Sequence, residues 1–211
     1  MIFRKERKEV AKIMRRLYKR GLTTASGGNV SFKNKEGYIF ITASQTDKAC
    51  IKPEEIIVFD NKLNNLTPDL KPSMEYNMHF MIYEGRPDIS AVVHSHPLFA
   101  STFAVLGMKI NTTLTGEARY ILGEIEEIDY SLMGTTTLAE ICACKMKNAD
   151  AGIMKNHGAI TLGSSLFEAY DRMEVLELTA NINYNILTLN KEISVGLNSI
   201  EVSEIDKLKN K

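Results

Sequence analysis

The sequence predicts an α/β fold in a single domain spanning residues 1–211, and three observations support this prediction. First, segments of strand-like composition alternate along the chain with segments of helical periodicity, as in layered α/β domains. Second, several connections are too short to contain a helical crossover, so the sheet is expected to be mixed and largely antiparallel. Third, 44% of the residues are hydrophobic and 25% are charged, which supports one packed core and excludes disorder.

The N-terminal part of the chain is predicted to contain two helices and two strands. Residues 4–20 carry apolar side chains at helical spacing, and Gly21 follows them as a helix-ending glycine. Aromatic and β-branched residues predict strands at 38–42 and 56–59. A second helix is predicted to be capped near Ser73, because serine is a favourable N-cap, and to finish before Gly85.

The remainder of the chain continues this alternation. An apolar run predicts a strand at 89–96, and the proline after it suits the first turn of a helix at 97–106. The other predicted elements are a strand at 125–130, a helix at 137–147, a strand–turn–strand unit at 151–162 and a helix at 165–190. The last helix is expected to place five apolar residues on or near one face, namely Phe167, Tyr170, Met173, Leu176 and Leu178.

The charge balance and the hydropathy pattern exclude several classes of partner. Lys+Arg and Asp+Glu both number 26, so the net charge is zero and gives no electrostatic reason to expect a nucleic acid. The first predicted helix is basic, which we interpret as a solvated helix face. No apolar run approaches the roughly 20 residues that span a bilayer, and the N-terminus lacks the apolar region of a signal peptide.

The cysteine content predicts a cytoplasmic location. The chain has three cysteines, Cys50, Cys142 and Cys144, and no C-x-x-C pair. Because Cys142 and Cys144 are two positions apart in a predicted helix, their side chains should point in different directions. We expect buried free thiols rather than metal ligands, which agrees with a reducing compartment.

Three histidines are the main candidates for a metal site. His94 and His96 alternate at the end of the predicted strand 89–96, so both imidazoles project from the same face. A structural pair is the alternative, but each ring would then need a buried partner. His157 lies in a turn after a strand-like segment, and the glycine behind it lets the chain bend. Three imidazoles with one open position are typical of catalytic Zn²⁺, although imidazole also binds other divalent metals.

Two further residues near these histidines in the predicted fold have a structural and a functional interpretation. His79 lies among apolar neighbours in the predicted helix that starts near Ser73, and we expect a hydrogen-bonded core or supporting residue rather than a ligand. Glu75 lies near the start of that helix, where the helix dipole favours a carboxylate. It is either a capping-type glutamate or, next to a metal, a general base or an exchangeable fourth ligand.

A glycine-containing segment, residues 24–31, suggests an anion site. Its paired glycines allow backbone N–H groups to approach an anion closely, and Asn29 adds side-chain donors. Ser44 at the end of one predicted strand and Ser73 at a helix N-terminus could donate to the same phosphate. An ordinary turn also explains the glycines, whereas the whole set suits a phosphate held without lysine.

Four segments taken together resemble the class II aldolase/adducin family, in particular its fuculose-1-phosphate aldolase branch: 26–31, 71–75, 93–97 and 155–158. The resemblance covers about residues 6–190. It implies an α/β/α layered fold and a cyclic homotetramer with active sites between subunits. It also implies zinc-dependent cleavage of a ketose 1-phosphate, such as L-fuculose 1-phosphate or 5-deoxyribulose 1-phosphate, to dihydroxyacetone phosphate and an aldehyde such as lactaldehyde.

The resemblance also implies roles for individual residues. His94, His96 and His157 match the zinc ligands of the family. Glu75 matches the catalytic acid/base, which also reaches the metal when no substrate is bound. The positions that match phosphate-binding residues are Gly28, Asn29, Ser44 and Ser73.

Three departures from the family pattern affect the substrate contacts. Gln45 stands where the family usually has glycine, and Met74 stands where the sugar-phosphate aldolases often have a second serine. Those aldolases use one tyrosine as a second acid near residues 111–120 and another in the C-terminal tail, whereas here no tyrosine follows Tyr184. Glu117 lies near the first of these positions and is the candidate second acid, with a residue of a neighbouring subunit as the alternative.

Two other functions remain as alternatives to an aldolase. A 5-substituted-ribulose-1-phosphate dehydratase of the methionine salvage type resembles this chain in having a glutamate near Glu117, but typically does not depend on one at Glu75. A non-catalytic adducin-like interaction domain tends to lose the metal histidines, and this chain retains all three. The sequence therefore favours the zinc-dependent aldolase.

Overall fold

The structure, a computed structural model, describes residues 2–189 and 196–209. Seven strands in these residues form one sheet, and their order across it is β3-β2-β1-β4-β7-β6-β5. The strands are β1 (Asn29–Lys33), β2 (Ile39–Thr42), β3 (Ile56–Phe59), β4 (Ala91–Ser95), β5 (Ile125–Ile128), β6 (Ala151–Met154) and β7 (Gly158–Gly163). The histidine-bearing strand β4 therefore lies at the centre of the sheet.

The sheet is mixed and largely antiparallel, as predicted. Every neighbouring pair of strands is antiparallel except β5 and β6, which run parallel with Ile125 opposite Ala151. A parallel pair needs a crossover connection, which the helix at 136–145 supplies. In the pair formed by β4 and β7, His94 lies opposite Ile160, so the end of β4 lies beside the start of β7.

Helices cover both faces of the sheet. The described helices are α1 (Arg4–Lys19), α2 (Tyr76–Gly85), α3 (Leu98–Leu106), α4 (Gly116–Leu122), α5 (Thr136–Lys145), α6 (Leu166–Thr188) and α7 (Ser199–Lys209). Helices α1, α3 and α6 contribute to one buried hydrophobic cluster, whereas α2 and α5 contribute to another. Successive residues of β4 alternate between the two clusters, because Ala91 and Val93 belong to the first and Val92 to the second. The expected α/β/α layering is confirmed.

Some element boundaries differ from the predicted ones. Helices α4 and α7 have no counterpart among the predicted elements. Helix α2 begins at Tyr76 rather than at Ser73, because the Ser73 side chain accepts hydrogen bonds from Asn29 and from the backbone N–H of Glu75 instead of capping a first turn. The predicted helix 165–190 is observed as α6, with the Ser165 hydroxyl as its N-cap; residue 190 lies outside the described part of the chain.

The predicted apolar face of α6 is correct at its centre and wrong at its edges. Tyr170, Met173 and Leu176 are fully buried in the core. Phe167 and Leu178, by contrast, are 60% and 50% exposed. The reason is geometric, since 100° per residue turns these two positions out of the stripe that faces the sheet.

The prediction of buried thiols holds for one cysteine and is wrong for two. Cys142 is buried in the hydrophobic cluster beneath α5, whereas Cys50 and Cys144 are exposed. Cys142 and Cys144 do point in different directions, as their spacing in α5 requires. In the part of the chain that the structure describes, no helix combines the length and the apolar character needed to cross a bilayer.

Candidate active site

The three predicted metal ligands converge at the central strand of the sheet. His94 belongs to β4, and His96 is the first residue after that strand. His157 lies in the short turn between β6 and β7. The ring centroids lie 4.9 Å apart for His94 and His96, and 4.8 Å apart for His94 and His157. One nitrogen from each ring lies within 4.8 Å of the others, a separation that suits three ligands of one metal ion.

The His94 ring has the tautomer that metal binding requires. Its Nδ1 lies 2.9 Å from the carbonyl oxygen of Ala159, which can only accept a hydrogen bond, so Nδ1 carries the proton. Its Nε2 then presents a lone pair to the centre of the cluster. This nitrogen is buried and has no hydrogen-bond donor among the described residues. A backbone carbonyl behind a ligating histidine is the usual arrangement that orients the ring toward a metal.

Glu75 closes the cluster on its fourth side. Its two carboxylate oxygens lie 3.2 Å from Nε2 of His94 and 3.2 Å from Nε2 of His157. One of them, Oε1, is buried without a hydrogen-bond donor. Since lone pairs on nitrogen and oxygen repel each other at this distance, the arrangement needs a positive charge between them. A proton on Nε2 or a divalent cation meets that need, and three imidazoles with a carboxylate are a donor set suited to Zn²⁺.

The charges in this cluster shift its pKa values strongly. Burial opposes ionisation of Glu75, but the neighbouring His94 and His157 outweigh it and hold the pKa of this carboxyl well below its usual range. Burial likewise opposes protonation of His94, but the Glu75 carboxylate raises the pKa of that imidazole. For His96, burial and the charge of His94 together lower the pKa to about 3. Glu75 is therefore a carboxylate, and His96 is a neutral imidazole with a free lone pair.

Asn29 at the start of β1 orients Glu75. Its side-chain amide donates to Oε2 of Glu75 at 3.0 Å and to the hydroxyl of Ser73 at 3.0 Å. Its carbonyl oxygen accepts from Nε2 of His79. Because a carboxylate only accepts hydrogen bonds, the amide must face Glu75 with its NH₂ group. The Ser73 hydroxyl accepts from Asn29 and from the Glu75 backbone, so its own proton can point into the space in front of it.

His79 is the hydrogen-bonded core residue that the sequence predicts. It is fully buried, and burial lowers its pKa to about 3, so the ring is neutral. With Nε2–H donated to Asn29, its Nδ1 must accept from the hydroxyl of Ser31 at 2.7 Å. Ser31 in turn accepts from the hydroxyl of Tyr83 at 2.8 Å. The chain of donors therefore runs in one direction, from Tyr83 through His79 and Asn29 to Glu75.

A cavity of about 380 Å³ opens above Glu75 and the histidines. All four residues predicted to bind phosphate line it, namely Gly28, Asn29, Ser44 and Ser73. Gly28 has φ +67°, and a Cβ atom there would lie 2.7 Å from the carbonyl oxygen of His94, so only glycine lets this wall approach β4 so closely. Gln45, which departs from the expected glycine, has φ +60°, the left-handed conformation that glycine adopts most readily.

The family of the chain follows from comparison of this sequence with known families. The Class II Aldolase and Adducin N-terminal domain matches residues 8–184, which include every residue of the site. The chain belongs to this family.

Curated relatives and solved structures of the family agree with this assignment. The L-fuculose phosphate aldolase of Methanococcus vannielii is 40% identical over 87% of this chain and 98% of its own length. The 5-deoxy-D-ribulose 1-phosphate aldolase of Bacillus thuringiensis serovar kurstaki is 30% identical over 87% of this chain and 86% of its own length. A solved L-fuculose 1-phosphate aldolase superposes with a TM-score of 0.88 at 28% identity, covering 98% of this chain and 97% of that one. The chain is therefore an enzyme of the class II aldolase type.

One predicted catalytic residue lies away from this class II aldolase site. Glu117 is exposed in the first turn of α4 and is not among the residues that line the cavity. Helix α4 packs against α6 and α7, on the side of the sheet opposite to α2. A role for Glu117 in the chemistry thus requires a site completed by another subunit, and it stays a prediction.

Sequence reasoning missed a lysine that lines the cavity. Lys48 lies in the loop between β2 and β3, is 2% exposed, and donates through Nζ to the carbonyl oxygen of Ala43 at 2.9 Å. The residues predicted to bind phosphate include no lysine, but Lys48 lines the same cavity, and the expectation of a phosphate held without lysine stays a prediction. The available signal was position alone, since Lys48 follows Ser44 by four residues in a loop that starts at a predicted strand end.

Proposed function

We propose that this chain is a zinc-dependent aldolase that reversibly cleaves a ketose 1-phosphate to dihydroxyacetone phosphate and an aldehyde. The substrate would be L-fuculose 1-phosphate or 5-deoxyribulose 1-phosphate, and the aldehyde one such as lactaldehyde. The observation that carries the proposal is the contact of Glu75 with the histidine cluster at the floor of a cavity walled by hydroxyl, amide and backbone donors. The relatives that bear the names of fuculose and deoxyribulose phosphate aldolases support this substrate class.

The metal would be held by His94, His96 and His157, with Glu75 as an exchangeable fourth ligand. The unpartnered Nε2 of His94 and Oε1 of Glu75 fit a cation, because both are buried acceptors without a donor among the described residues. Bound there, Zn²⁺ would supply a Lewis acid that polarises a substrate carbonyl and offsets developing negative charge. Zinc is proposed in preference to other divalent metals because of the three-imidazole donor set.

Glu75 is proposed to move the proton at the carbon next to the substrate carbonyl. It is an ionised carboxylate held by Asn29, and one of its oxygens has no hydrogen-bond donor and can accept a proton. In the cleavage direction Glu75 returns a proton to that carbon, and in the condensation direction it removes one. A carboxylate held in a fixed orientation next to the reacting carbon suits such general acid–base transfer.

The phosphoryl group of the substrate is proposed to bind at the wall of the cavity formed by Gly28, Asn29, Ser44 and Ser73. Ser44 and Ser73 offer hydroxyl donors there, and the backbone at Gly28 approaches closely enough to contribute an N–H group. Asn29 connects this wall to Glu75, because its amide donates to both Ser73 and Glu75. The same asparagine would therefore couple phosphate binding to the position of the base.

The second acid is proposed to be Glu117, contributed to the cavity of a neighbouring subunit in a homotetramer. Exposed Met74 and Met133 at the rim of the cavity provide apolar surface that such a neighbour would cover. We also propose that residues 1–211 act as one domain and that the enzyme is cytoplasmic, with no nucleic-acid or membrane partner. These last points rest on the composition of the sequence.

Deuterium exchange of dihydroxyacetone phosphate tests the proposal most directly. The zinc-loaded protein is incubated with dihydroxyacetone phosphate in deuterated water, and loss of the α-proton signal is followed by NMR. We expect exchange in the absence of any aldehyde, and carbon–carbon bond formation when an aldehyde panel that includes lactaldehyde is added. Full zinc occupancy with no exchange would overturn the aldolase assignment, and water loss from a 5-substituted ribulose 1-phosphate would then support the dehydratase.

A further inference from the structure

The side chain of Lys48 is a buried cation without a carboxylate partner. Only 2% of the residue is exposed, and its Nζ donates to the carbonyl oxygen of Ala43 at 2.9 Å and to the hydroxyl of Thr46 at 3.0 Å. An ammonium group has three N–H donors, so these two bonds leave one donor unused. Lys48 forms no ion pair among the described residues, and burial lowers its pKa to about 8 even though the more distant Glu55 raises it. A buried charge in this state is destabilising unless an anion joins it.

The position of Lys48 places this charge in the wall of the candidate active site. The residue lines the same cavity as Ser44 and Ser73, and no other lysine or arginine is among the described residues that line it. The backbone N–H of Lys48 donates to the carbonyl oxygen of Ala25 at 2.8 Å. The lysine therefore joins the loop after β2 to the glycine-containing segment that forms the adjacent wall.

The other residues at this wall are neutral. The four positions proposed to bind phosphate, Gly28, Asn29, Ser44 and Ser73, supply hydrogen bonds but no charge. Met74 moreover stands where the family resemblance leads one to expect a serine, so one hydroxyl donor is missing at this wall. A phosphate monoester carries between one and two negative charges at neutral pH and is bound well by a lysine acting as a point charge.

We propose that Lys48 supplies the counter-charge for the phosphoryl group of the substrate, and so determines both affinity for phosphate esters and discrimination against uncharged ketoses. The proposal deepens the proposed function and rests on it for the identity of the substrate. In the absence of substrate, the ammonium is held by Ala43 and Thr46 with one donor unused. Binding of a phosphoryl group gives the ammonium a charged partner without moving the loop.

Lys48 could instead have a purely structural role in its loop, and three variants distinguish that role from phosphate binding. Lys48→Gln keeps N–H donors for the loop but removes the charge, whereas Lys48→Arg keeps the charge. Thr46→Val is the matched control, because it removes one loop contact of the lysine and lies outside the cavity lining. If the lysine only supports the loop, Lys48→Gln and Thr46→Val should have similar effects on ligand binding.

The first test is calorimetric titration of each variant with inorganic phosphate, which needs no catalytic activity. We expect Lys48→Gln to weaken phosphate binding about 10- to 100-fold, as for loss of a hydrogen bond to a charged group. Lys48→Arg should stay within a few-fold of wild type, and so should Thr46→Val. Wild-type affinity in Lys48→Gln, equal losses in Lys48→Gln and Thr46→Val, or no phosphate binding by the wild type would each overturn the proposal.

The second test compares proton exchange on dihydroxyacetone phosphate with exchange on dihydroxyacetone, which lacks the charge. Lys48→Gln should raise KM for the phosphate ester and lower kcat/KM for this ester by a much larger factor than kcat/KM for dihydroxyacetone. Equal losses for both compounds would contradict a role specific to phosphate. If the wild-type enzyme exchanges neither compound, the proposed function fails, and the phosphate titration still decides the role of Lys48.

Discussion

At the residue scale, Glu75 combines an ionised carboxylate with an oxygen free of donors, and this predicts its contribution to catalysis. Glu75→Gln keeps the shape of the side chain but removes the base, so kcat should fall about 10²- to 10⁴-fold, the usual range for general acid–base catalysis. KM should change less, because the proposed phosphate-binding residues are intact. Steady-state kinetics and deuterium exchange should show parallel losses. Full exchange activity in Glu75→Gln would exclude this residue as the base.

The histidine cluster predicts which substitutions remove the metal. His94→Ala, His96→Ala and His157→Ala each delete one of three neutral ligands, so each variant should lose most of its zinc and nearly all activity. His79→Gln is the matched control, because His79 is buried beneath the site and contacts Asn29 rather than the cluster. It should retain zinc, with some loss of stability. Elemental analysis that finds about one zinc per chain in all three alanine variants would contradict the ligand assignment.

The buried charge of Lys48 predicts a pH dependence of stability. The pKa of Lys48 is about 8 in the folded chain, below its usual value of 10.5, so between these two pH values the unfolded chain binds more protons. The free energy of unfolding should therefore rise with pH across this interval, by up to about 3 kcal/mol relative to Lys48→Met. Urea unfolding at pH 7 and pH 10, in buffer without phosphate, measures the difference. Identical pH profiles of the free energy of unfolding for wild type and Lys48→Met would show that burial of the lysine does not destabilise the folded chain.

At the element scale, the close contact between the start of β7 and the end of β4 positions the proposed metal ligands. A Cβ atom on Gly158 would lie 2.5 Å from the carbonyl oxygen of Ser95 and 2.5 Å from Cδ2 of His96. Gly158→Ala should destabilise the fold by about 1–3 kcal/mol and weaken zinc binding, because the two strands must separate. Gly85→Ala, where nothing lies within 4 Å, is the control and should be neutral or stabilising by up to about 1 kcal/mol.

Urea unfolding and a competitive zinc titration would measure both effects of Gly158→Ala. A variant with unchanged stability but weaker zinc binding would show that the added Cβ atom displaces the His96 ring without separating the two strands. Unchanged stability together with unchanged zinc affinity would show that the contact between β4 and β7 does not position the ligands.

Local sequence patterns predict which segments form helices and strands better than they predict which of these elements pack against one another. Most of the strands and the long helices can be predicted, because burial on one or both faces leaves a period of two or of 3.6 in the sequence. Helix α4 is short and contains a glycine and a tyrosine among its seven residues, so it shows little periodicity; the Thr115 hydroxyl caps it instead. The parallel pairing of β5 with β6 depends on where the intervening helix packs, which no local pattern specifies.

The site shows the same division between local and non-local information. The histidines could be predicted because their spacing follows the alternation of one strand and the bend of one turn. The burial of Lys48 could not, because it depends on a loop that folds back to Ala25, more than twenty residues earlier in the chain. The remote position of Glu117 likewise depends on how α4 packs on α6, and not on its distance from Glu75 in the sequence.

At the scale of the whole molecule, the separation of Glu75 and Glu117 becomes a question of assembly. Glu75 lies at the cavity floor, whereas Glu117 is exposed on α4 and does not line the cavity of its own chain. In a cyclic homotetramer, the same two surfaces meet at every interface, so one subunit can present Glu117 to the cavity of the next. Light scattering should then give about four times the 23.7 kDa chain mass at concentrations where the enzyme is active.

Mixing two variants that both lack cleavage activity tests whether these glutamates act across an interface. Glu75→Gln should lose both exchange and cleavage, whereas Glu117→Gln should keep exchange and lose only carbon–carbon cleavage, because Glu117 is proposed to act on the aldehyde oxygen. In randomly mixed tetramers of equal amounts, about one quarter of the sites pair an intact Glu75 with an intact Glu117 from the neighbouring chain. Cleavage should therefore recover to about one quarter of wild type after unfolding and joint refolding. If both residues serve the same chain, no site contains both and cleavage stays absent, and an active monomer would exclude the shared site altogether.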